Sequence, residues 1–267
     1  MRPLIMALLA IVIATSACRK ERANVDTRVI PPAVRLKEII ETTQGGQRQY
    51  LFRYNDAGYL QAYYVNRKGT GETGWLTDIR ILYTLDKANR VVGEQWTSGM
   101  TGTYDGTYVY DSKNQLHRVD YSYNGTNSHY VEYARVNGRI TWATIRTTND
   151  DQVQVDHLTY SDAGNVTEHI MEYAVSTEEP VSMARNTEYD DKPNYVNTIK
   201  GLTNFVYVFG IDAQTLSANN LLRNEYDPRG LRNASVYELT YNKYNYVAKE
   251  VLNGGERVRE FTYEEIK

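Results

Sequence analysis

The stretches YNDAGYL at 54–60, YDSKNQL at 110–116, YSDAGNV at 160–166 and YNKYNYV at 241–247 decide the fold of this chain. Each runs from a tyrosine through a polar turn with Gly or Asn to an apolar residue two positions on. Gly and Asn adopt the positive φ of a tight hairpin at the least cost. We call this unit the cassette, and each copy predicts a β-hairpin.

Further copies lie between these four. LDKANRV at 85–91 and ARVNGRI at 134–140 keep the pattern, whereas YDPRGL at 226–231 and YDDKPNY at 189–195 are variants. The steps between successive turn positions are 31, 25, 24, 26, 29, 37 and 15 residues, for Gly58, Asn89, Asn114, Gly138, Gly164, Pro193, Gly230 and Asn245. Proline cannot adopt positive φ, so the hairpin near 190 is expected to be irregular.

Between the turns, side chains alternate in character with period two. Tyr121 and Tyr123, for example, alternate with Asp120 and Ser122. Such alternation indicates antiparallel strands with one covered face. It predicts about sixteen strands, at 35–42, 48–55, 59–66, 78–85, 91–97, 104–111, 115–123, 129–135, 139–148, 152–161, 165–174, 184–190, 221–226, 234–242, 246–252 and 257–264.

The composition favours the same fold class. The chain has 24 Tyr against 4 Phe and 3 Trp. Tyrosine suits half-buried strand positions, whereas a parallel sheet covered on both sides would show continuous Val, Ile and Leu runs. The prediction is an all-β protein whose residues 35–267 form one antiparallel meander of hairpin repeats, curved or barrel-like. Whether the sheet closes is left open.

Residues 196–222 break the alternation and contain a dense apolar run from Phe205 to Ile211. A stretch this apolar must be buried, and an open sheet edge needs covering. We expect an irregular segment here, with a short helix that plugs one end or the concave side of the sheet.

The first residues resemble a lipoprotein signal peptide. Arg2 precedes an apolar run from Leu4 to Ala14, which is too short to span a membrane, since spanning takes about 20 residues. Thr15, Ser16 and Ala17 then lead to Cys18, the one cysteine in the chain, in a TSAC sequence similar to a lipobox. The prediction is a signal peptide over 1–17 and lipidation of Cys18; the alternative is an ordinary cleaved signal with an incidental cysteine.

Residues 18–34 are then a lipidated cysteine and tether, which makes the membrane a partner through the N-terminal lipid. Only Glu21 resembles the acidic cluster that surface-exported lipoproteins of the Bacteroidota carry after the cysteine. An outer-membrane lipoprotein that faces the periplasm is therefore favoured over one at the cell surface. Without residues 1–17 the chain has 29 basic and 33 acidic side chains, which argues against nucleic acid as a partner.

The cassettes resemble the YD-type repeats of RHS proteins. Together with the lipobox and the segment GLTNFVYVFGIDAQTLSANNLL at 201–222, they also resemble a family of uncharacterised Bacteroidota lipoproteins described as porin-like. This resemblance implies a curved or barrel-like meander and no particular activity. A membrane-embedded barrel is not expected, because lipid-facing strand positions would be steadily apolar, and here many carry charge.

Candidate chemistry is sparse. His117, His129, His157 and His169 lack metal-ligand spacing, and Asp150–Asp151 and Asp190–Asp191 fall at predicted turns, where aspartate caps the backbone. The sequence contains no hydrolase elbow, P-loop or zinc motif, so no catalytic residue, metal or cofactor is predicted.

Three tryptophans, Trp75, Trp96 and Trp142, are candidates for stacking on a sugar ring or an extended partner; the alternative is packing within the sheet. The preferred hypothesis is a non-catalytic envelope module that binds a glycan, a peptide or a partner protein, from which a purely structural scaffold is not separable. The second is a polysaccharide hydrolase, which requires two carboxylates about 5 to 9.5 Å apart.

Overall fold

A computed structural model describes residues 33–99, 102–173, 182–201, 216–226 and 233–266. These residues form sixteen antiparallel strands, each paired with its neighbours in the chain. The strands are β1 Val34–Thr43, β2 Gly46–Tyr54, β3 Leu60–Gly69, β4 Leu76–Leu85, β5 Val91–Ser98, β6 Gly102–Tyr110, β7 Leu116–Tyr123, β8 Thr126–Val136, β9 Arg139–Thr147, β10 Gln152–Tyr160, β11 Val166–Tyr173, β12 Ser182–Pro193, β13 Asn219–Tyr226, β14 Asn233–Tyr241, β15 Val247–Leu252 and β16 Arg257–Glu265.

The sheet closes into a barrel because β1 also pairs with β16, with Ile39 opposite Phe261 and Glu41 opposite Arg259. The predicted fold class is confirmed, and the question of closure is answered by this pairing. All sixteen predicted strands correspond to observed ones, with ends that differ by at most three residues.

Alternation along each strand separates an inner wall from an outer wall. Tyr108, Val119 and Val131 are opposite one another on neighbouring strands, point inward and are almost fully buried. The outer wall carries charged pairs, such as Arg118–Asp120 and Arg146–Glu132, at 2.8 and 3.5 Å.

This outer wall matches the expectation that the barrel is not embedded in a membrane. In a membrane-embedded barrel, an arginine that faces lipid at the middle of the bilayer costs about 2 to 4 kcal/mol of stability. Further outward pairs lie on β1 with β16 and on β11 with β12, between Arg35 and Glu264 and between Arg185 and Glu168. Separately, within the described residues no helix is long and apolar enough to cross a membrane.

The six cassettes that keep the full pattern, which we call the regular cassettes, lie at one end of the barrel, which we call the cassette end. In the cassette between β6 and β7, the Asp111 N–H donates to the Gln115 carbonyl at 2.9 Å, and the Asn114 N–H donates to the Asp111 carbonyl at 3.0 Å. The Asp111 carboxylate accepts from the N–H groups of Lys113 and Gln115, and Asn114 has a φ of 61°. This explains why the cassette needs Asp or Asn early and Asn or Gly late.

Cassette tyrosines on β2, β6 and β10 tie the strand that carries them to the strand before it. The Tyr110 hydroxyl donates to the Val91 carbonyl at 2.6 Å, and the Tyr160 hydroxyl donates to the Ile140 carbonyl at 2.8 Å. The arginine before each of these carbonyl residues stacks on the same ring, as Arg90 does at 4.3 Å from the Tyr110 centroid. The cassette at 110–116 therefore links β5, β6 and β7. We call the tyrosine hydrogen bond and its stacked arginine the cassette lock.

The last residue of each regular cassette fills the interior at the cassette end. These apolar side chains are at most 4% exposed and belong to one hydrophobic cluster, which contains Leu60, Val91, Leu116, Ile140, Val166 and Val247. Burying each such side chain is worth about 1.5 to 3 kcal/mol. The repeat in the sequence thus builds an apolar layer across one end of the barrel.

The chain after β12 packs against this layer. The expected irregularity near Pro193 is present, because β12 and β13 change register three times before Pro193 pairs with Asn219. A 3₁₀ helix follows at Tyr195–Thr198, where the Thr198 hydroxyl accepts the Leu36 N–H at 3.1 Å. Ile199, 1% exposed, joins the apolar cluster. Residues 202–215, which include the apolar run predicted to be buried, lie outside the described residues.

Candidate functional site in the barrel interior

The three candidate tryptophans do not converge. Trp96 on β5 points into the barrel, Trp142 on β9 points outward and is 49% exposed, and Trp75 precedes β4 in a loop, with the Lys68 ammonium 6.0 Å from its ring. Trp142 contacts the ring of His157 on β10 at 4.1 Å between centroids. Only Trp96 shares a surface with other inward aromatic side chains.

Trp96 belongs to a group of stacked rings on β5, β6 and β7. The ring centroids of Trp96 and Tyr104 are 5.1 Å apart, and those of Tyr104 and Tyr123 are 4.8 Å apart. Strand register places these residues directly opposite one another. Trp96 and Tyr104 are half-buried, and Tyr123 is 39% exposed. We call Trp96, Tyr104 and Tyr123 the aromatic tier.

Glu94 lies one inward position closer to the cassette end than Trp96, and it is 5% exposed. Its carboxylate accepts a hydrogen bond from the Tyr108 hydroxyl at 2.9 Å, and Tyr121 is a second hydrogen-bond partner. Burial raises the pKa of Glu94 to about 7, although these two tyrosines act in the opposite direction. Glu94 is therefore a carboxyl group that changes charge near neutral pH.

A glycine makes room for this carboxylate. Gly106 is opposite Glu94 on β6, and a Cβ at Gly106 would lie 2.8 Å from Glu94 Cγ and 3.2 Å from Tyr121 Cε1. Any larger residue would displace Glu94 or Tyr121. The inner wall at this level is thus shaped around one acidic side chain.

A second group of buried charges lies on β1, β15 and β16. Arg259 Nε is 2.8 Å from Glu41, and Arg259 also contacts Glu250 at 3.5 Å. Arg257 contacts Glu250 at 3.2 Å. Burial acts to lower the pKa of Arg259, but attraction to Glu250, Tyr195 and Glu41 outweighs it and raises that pKa above its usual range. We call these four residues the arginine network.

A third inward group joins β10 and β11. Asp156, 2% exposed, accepts a hydrogen bond from the Gln154 side-chain amide at 2.7 Å, and His169 Nε2 lies 2.5 Å from its other oxygen. These contacts offset the free-energy cost of burying the Asp156 carboxylate. No nucleophilic side chain accompanies the pair among the hydrogen bonds of the described residues.

The histidines and aspartates singled out in the sequence stay dispersed. His129 and His169 point inward on different strands, and His157 points outward. Within the described residues, no three His, Cys, Asp or Glu side chains are grouped to hold a metal ion.

The interpretation of Asp190 as a solvated turn residue is wrong. Asp190 lies within β12, and its carboxylate accepts hydrogen bonds from the Asn220 backbone and side chain at 3.0 and 2.9 Å and from the Tyr241 hydroxyl. Its role is to join β12 to β13 and β14. The sequence pattern failed here because Pro193 shifts the end of the strand beyond the expected turn.

The hydrolase alternative needs two available carboxylates in one cleft. Glu41 and Glu250 share Arg259 as a partner, so both carboxylates are already neutralised by arginine. A general acid needs a raised pKa, which a neighbouring arginine opposes. The arginine network therefore gives the hydrolase alternative no support.

Sequence analysis missed Glu94 and the arginine network. A usable pattern was present, because Glu94 and Trp96 are two apart in VVGEQWTS and must share a face. A charged residue on the same face as a run of aromatic side chains indicates a buried polar site, and the same reasoning applies to Glu41 beside Ile39.

No protein-family model and no curated protein matches the chain. Among solved structures, a porin-like protein from Bacteroides uniformis ATCC 8492 is 14% identical with a TM-score of 0.58, and the match covers 88% of this chain and 97% of that one. A porin-like protein from Bacteroides vulgatus ATCC 8482 is 10% identical, with a TM-score of 0.41 and coverage of 86% and 99%. TcdB2-TccC3 is 11% identical, with a TM-score of 0.30 over 82% of this chain and 10% of that one.

The first of these matches carries the structural conclusion. The chain has the fold of a porin-like protein from Bacteroides, as the resemblance drawn from the cassettes implied. At this identity the likeness extends to the fold alone.

Proposed function

We propose that the chain is a lipid-anchored protein of the cell envelope that binds a slender ligand inside its barrel and does not catalyse a reaction. The anchor is Cys18, and the barrel faces the periplasm from the outer membrane. The ligand is a glycan or an extended peptide, because an inward-facing site does not admit a folded partner protein.

The aromatic tier is the observation that carries this proposal. Sugar rings and peptide side chains stack on exposed aromatic faces, and Tyr and Trp offer a polar atom beside the apolar ring. Tyr123, 39% exposed, is the last residue of β7 at the end opposite the apolar layer, whereas half-buried Trp96 lies two residues before the end of β5. A ligand that enters from the opposite end would meet Tyr123 first and then Trp96.

A glycan array and isothermal titration calorimetry with the mature chain test the binding. Trp96→Ala is expected to weaken binding by up to about tenfold, because a stacked aromatic pair is worth up to about 1.5 kcal/mol. Trp142→Ala is the matched control, since Trp142 is on the outer wall, and its affinity should equal that of the wild type. Equal affinity of both variants would contradict an inward site.

The anchor is tested separately, because Cys18 lies outside the described residues. Labelled palmitate should be incorporated into the wild-type chain and not into Cys18→Ser when each is expressed in a bacterium that processes lipoproteins. The variant should also leave the membrane fraction, since the acyl chains supply about 0.8 kcal/mol per buried CH₂. Equal labelling of the two chains would disprove the assignment of Cys18.

A further inference from the structure

Glu94 differs from the other buried acidic side chains of the interior. Glu41 and Glu250 contact arginines, and Asp156 contacts His169. Glu94 has hydrogen bonds from tyrosines and no ion pair among the described residues. A buried carboxylate without a cation is costly, and proteins normally pair or neutralise it. Glu94 therefore either takes up a proton or pairs with a cation that the described part of the chain does not supply.

The side chains around Glu94 are those that hold organic cations. Tyr83 on β4 and Tyr121 on β7 lie beside it at the same level of the barrel, and Trp96 and Tyr104 lie one level further from the cassette end. Ammonium groups bind to aromatic faces, which contribute about 0.5 to 2 kcal/mol each as desolvation increases. A carboxylate beside a set of aromatic rings is complementary to an ammonium group in charge.

We propose that the aromatic tier and Glu94 together bind the ammonium group of an organic ligand, with the cation against the rings and its charge neutralised by Glu94. This inference deepens the proposed function and rests on it, because it names the chemistry recognised at the same site. Quaternary and primary ammonium groups share this chemistry, and the experiment below separates them.

The same side chains disfavour an anionic ligand. An anion at this level would meet the Glu94 carboxylate and the negative faces of the rings, and both repel it. Arg257 and Arg259, two positive side chains of the inner wall, are already paired with Glu41 and Glu250.

The titration of the site involves Glu94 and its neighbours on four strands. Tyr83, Tyr108, Tyr121 and Tyr133 have pKa values raised by burial, so these phenols stay neutral near pH 7. His129, stacked on Tyr121, has a pKa lowered by burial and becomes positive only below its usual range. Glu94 is therefore the group whose charge changes as the pH passes about 7.

The probes are choline, cadaverine and an uncharged analogue of choline in which a tert-butyl group replaces the trimethylammonium group. Binding is followed by calorimetry and by tryptophan fluorescence of the full chain carrying Trp75→Phe and Trp142→Phe, which leaves Trp96 as the reporter. At about pH 8 choline is expected to bind at least tenfold more tightly than its analogue. Stronger binding of cadaverine than of choline would identify a primary ammonium as the preferred group.

Affinity for choline should fall about tenfold between about pH 8 and about pH 6, because protonation removes the charge of Glu94. Glu94→Gln should reduce the preference for choline over its analogue to the part that the aromatic faces supply, and any pH dependence left in this variant would report His129. Gly106→Ala keeps every charge but pushes on Glu94, so it should weaken choline binding. Asp105→Asn, on the outer wall beside Gly106, is the matched control and should bind as the wild type does.

Two results would overturn the inference: equal affinity of the wild type for choline and its analogue, or an unchanged preference in Glu94→Gln. Circular dichroism confirms that each variant is folded before its affinity is compared. If a neutral glycan binds to the wild type and to Glu94→Gln but not to Trp96→Ala, the proposed binding site inside the barrel stands. In that case only the inference of an ammonium ligand is contradicted. Loss of all binding only in Trp142→Ala would reject the proposed function itself.

Discussion

Two walls of the barrel interior bury carboxylates in opposite ways. On β1, β15 and β16, Glu41 and Glu250 are neutralised by Arg257 and Arg259 of the same sheet. On β5 to β7, Glu94 has tyrosine hydroxyls and no arginine, and burial raises its pKa to about 7. On the first wall each buried carboxylate has an arginine partner. On the second wall Glu94 has no such partner, and its own charge changes near neutral pH.

The largest expected effect comes from removing the central cation of the arginine network. Arg259→Met should lower the free energy of unfolding by about 3 to 5 kcal/mol, because it leaves buried Glu41 with only the 3.8 Å contact to Arg257 and removes one of the two arginines at Glu250. Urea denaturation at neutral pH measures the change. Arg118→Met, which breaks the exposed pair with Asp120, should cost less than about 1 kcal/mol. Similar losses in the two variants would remove the distinction between inner and outer pairs.

The next largest effect is the pH dependence of the free energy of unfolding, which we attribute to Glu94. Its pKa rises from 4.5 to about 7 on folding, so between these values the folded chain holds a proton that the unfolded chain has lost. The free energy of unfolding should therefore fall as the pH rises through this window, by on the order of 3 kcal/mol, and stay level above it.

Glu94→Gln should remove that dependence and be more stable than the wild type above about pH 7. Denaturation curves of both chains over the window provide the measurement. Glu132→Gln, on the outer wall beside Arg146, is the control and should keep the wild-type pH dependence. A parallel pH profile for wild type and Glu94→Gln would show that Glu94 is not the titrating group.

Much of the fold was predictable because it is encoded locally. A cassette such as YDSKNQL contains the tyrosine lock, the aspartate cap, the Asn turn and the buried leucine within seven residues. Closure was not predictable, since the pairing of β1 with β16 joins residues more than two hundred positions apart and leaves no local pattern. Gly230, counted with the cassette turns, follows an odd-numbered strand, whereas the six regular cassettes each follow an even-numbered one.

The candidate site was predictable only in part. Trp96 was identified with Trp75 and Trp142 by residue type, but type does not reveal which wall a side chain joins. Strand register does: it places Trp96 beside Tyr104 inside and Trp142 outside. Glu94 was missed because a single acidic residue in a strand forms no recognisable motif, whereas its spacing from Trp96 places it on the same face.

A smaller effect should follow from removing one hydroxyl from the wall of Glu94. Tyr108→Phe deletes the 2.9 Å hydrogen bond to the carboxylate, and a hydrogen bond to a charged group is worth about 1.5 to 3 kcal/mol. The loss of stability should be larger at about pH 8 than at about pH 5, where Glu94 is protonated, because the deleted bond favours the charged form. Equal losses at the two pH values would mean that Tyr108 supports the wall without interacting with the charge.

The smallest effect tests the cassette lock, which lies apart from both walls of charge. Tyr160→Phe removes the 2.8 Å hydrogen bond to the Ile140 carbonyl and keeps the ring beneath Arg139, so it should cost about 1 kcal/mol. Since neither partner changes charge between about pH 5 and about pH 8, the loss should be the same across that range. Urea denaturation of Tyr160→Phe beside Tyr108→Phe therefore separates a tyrosine that holds the backbone from one that holds a carboxylate. A pH-dependent loss in Tyr160→Phe would place a titrating group at the lock and contradict a purely structural role for the cassette.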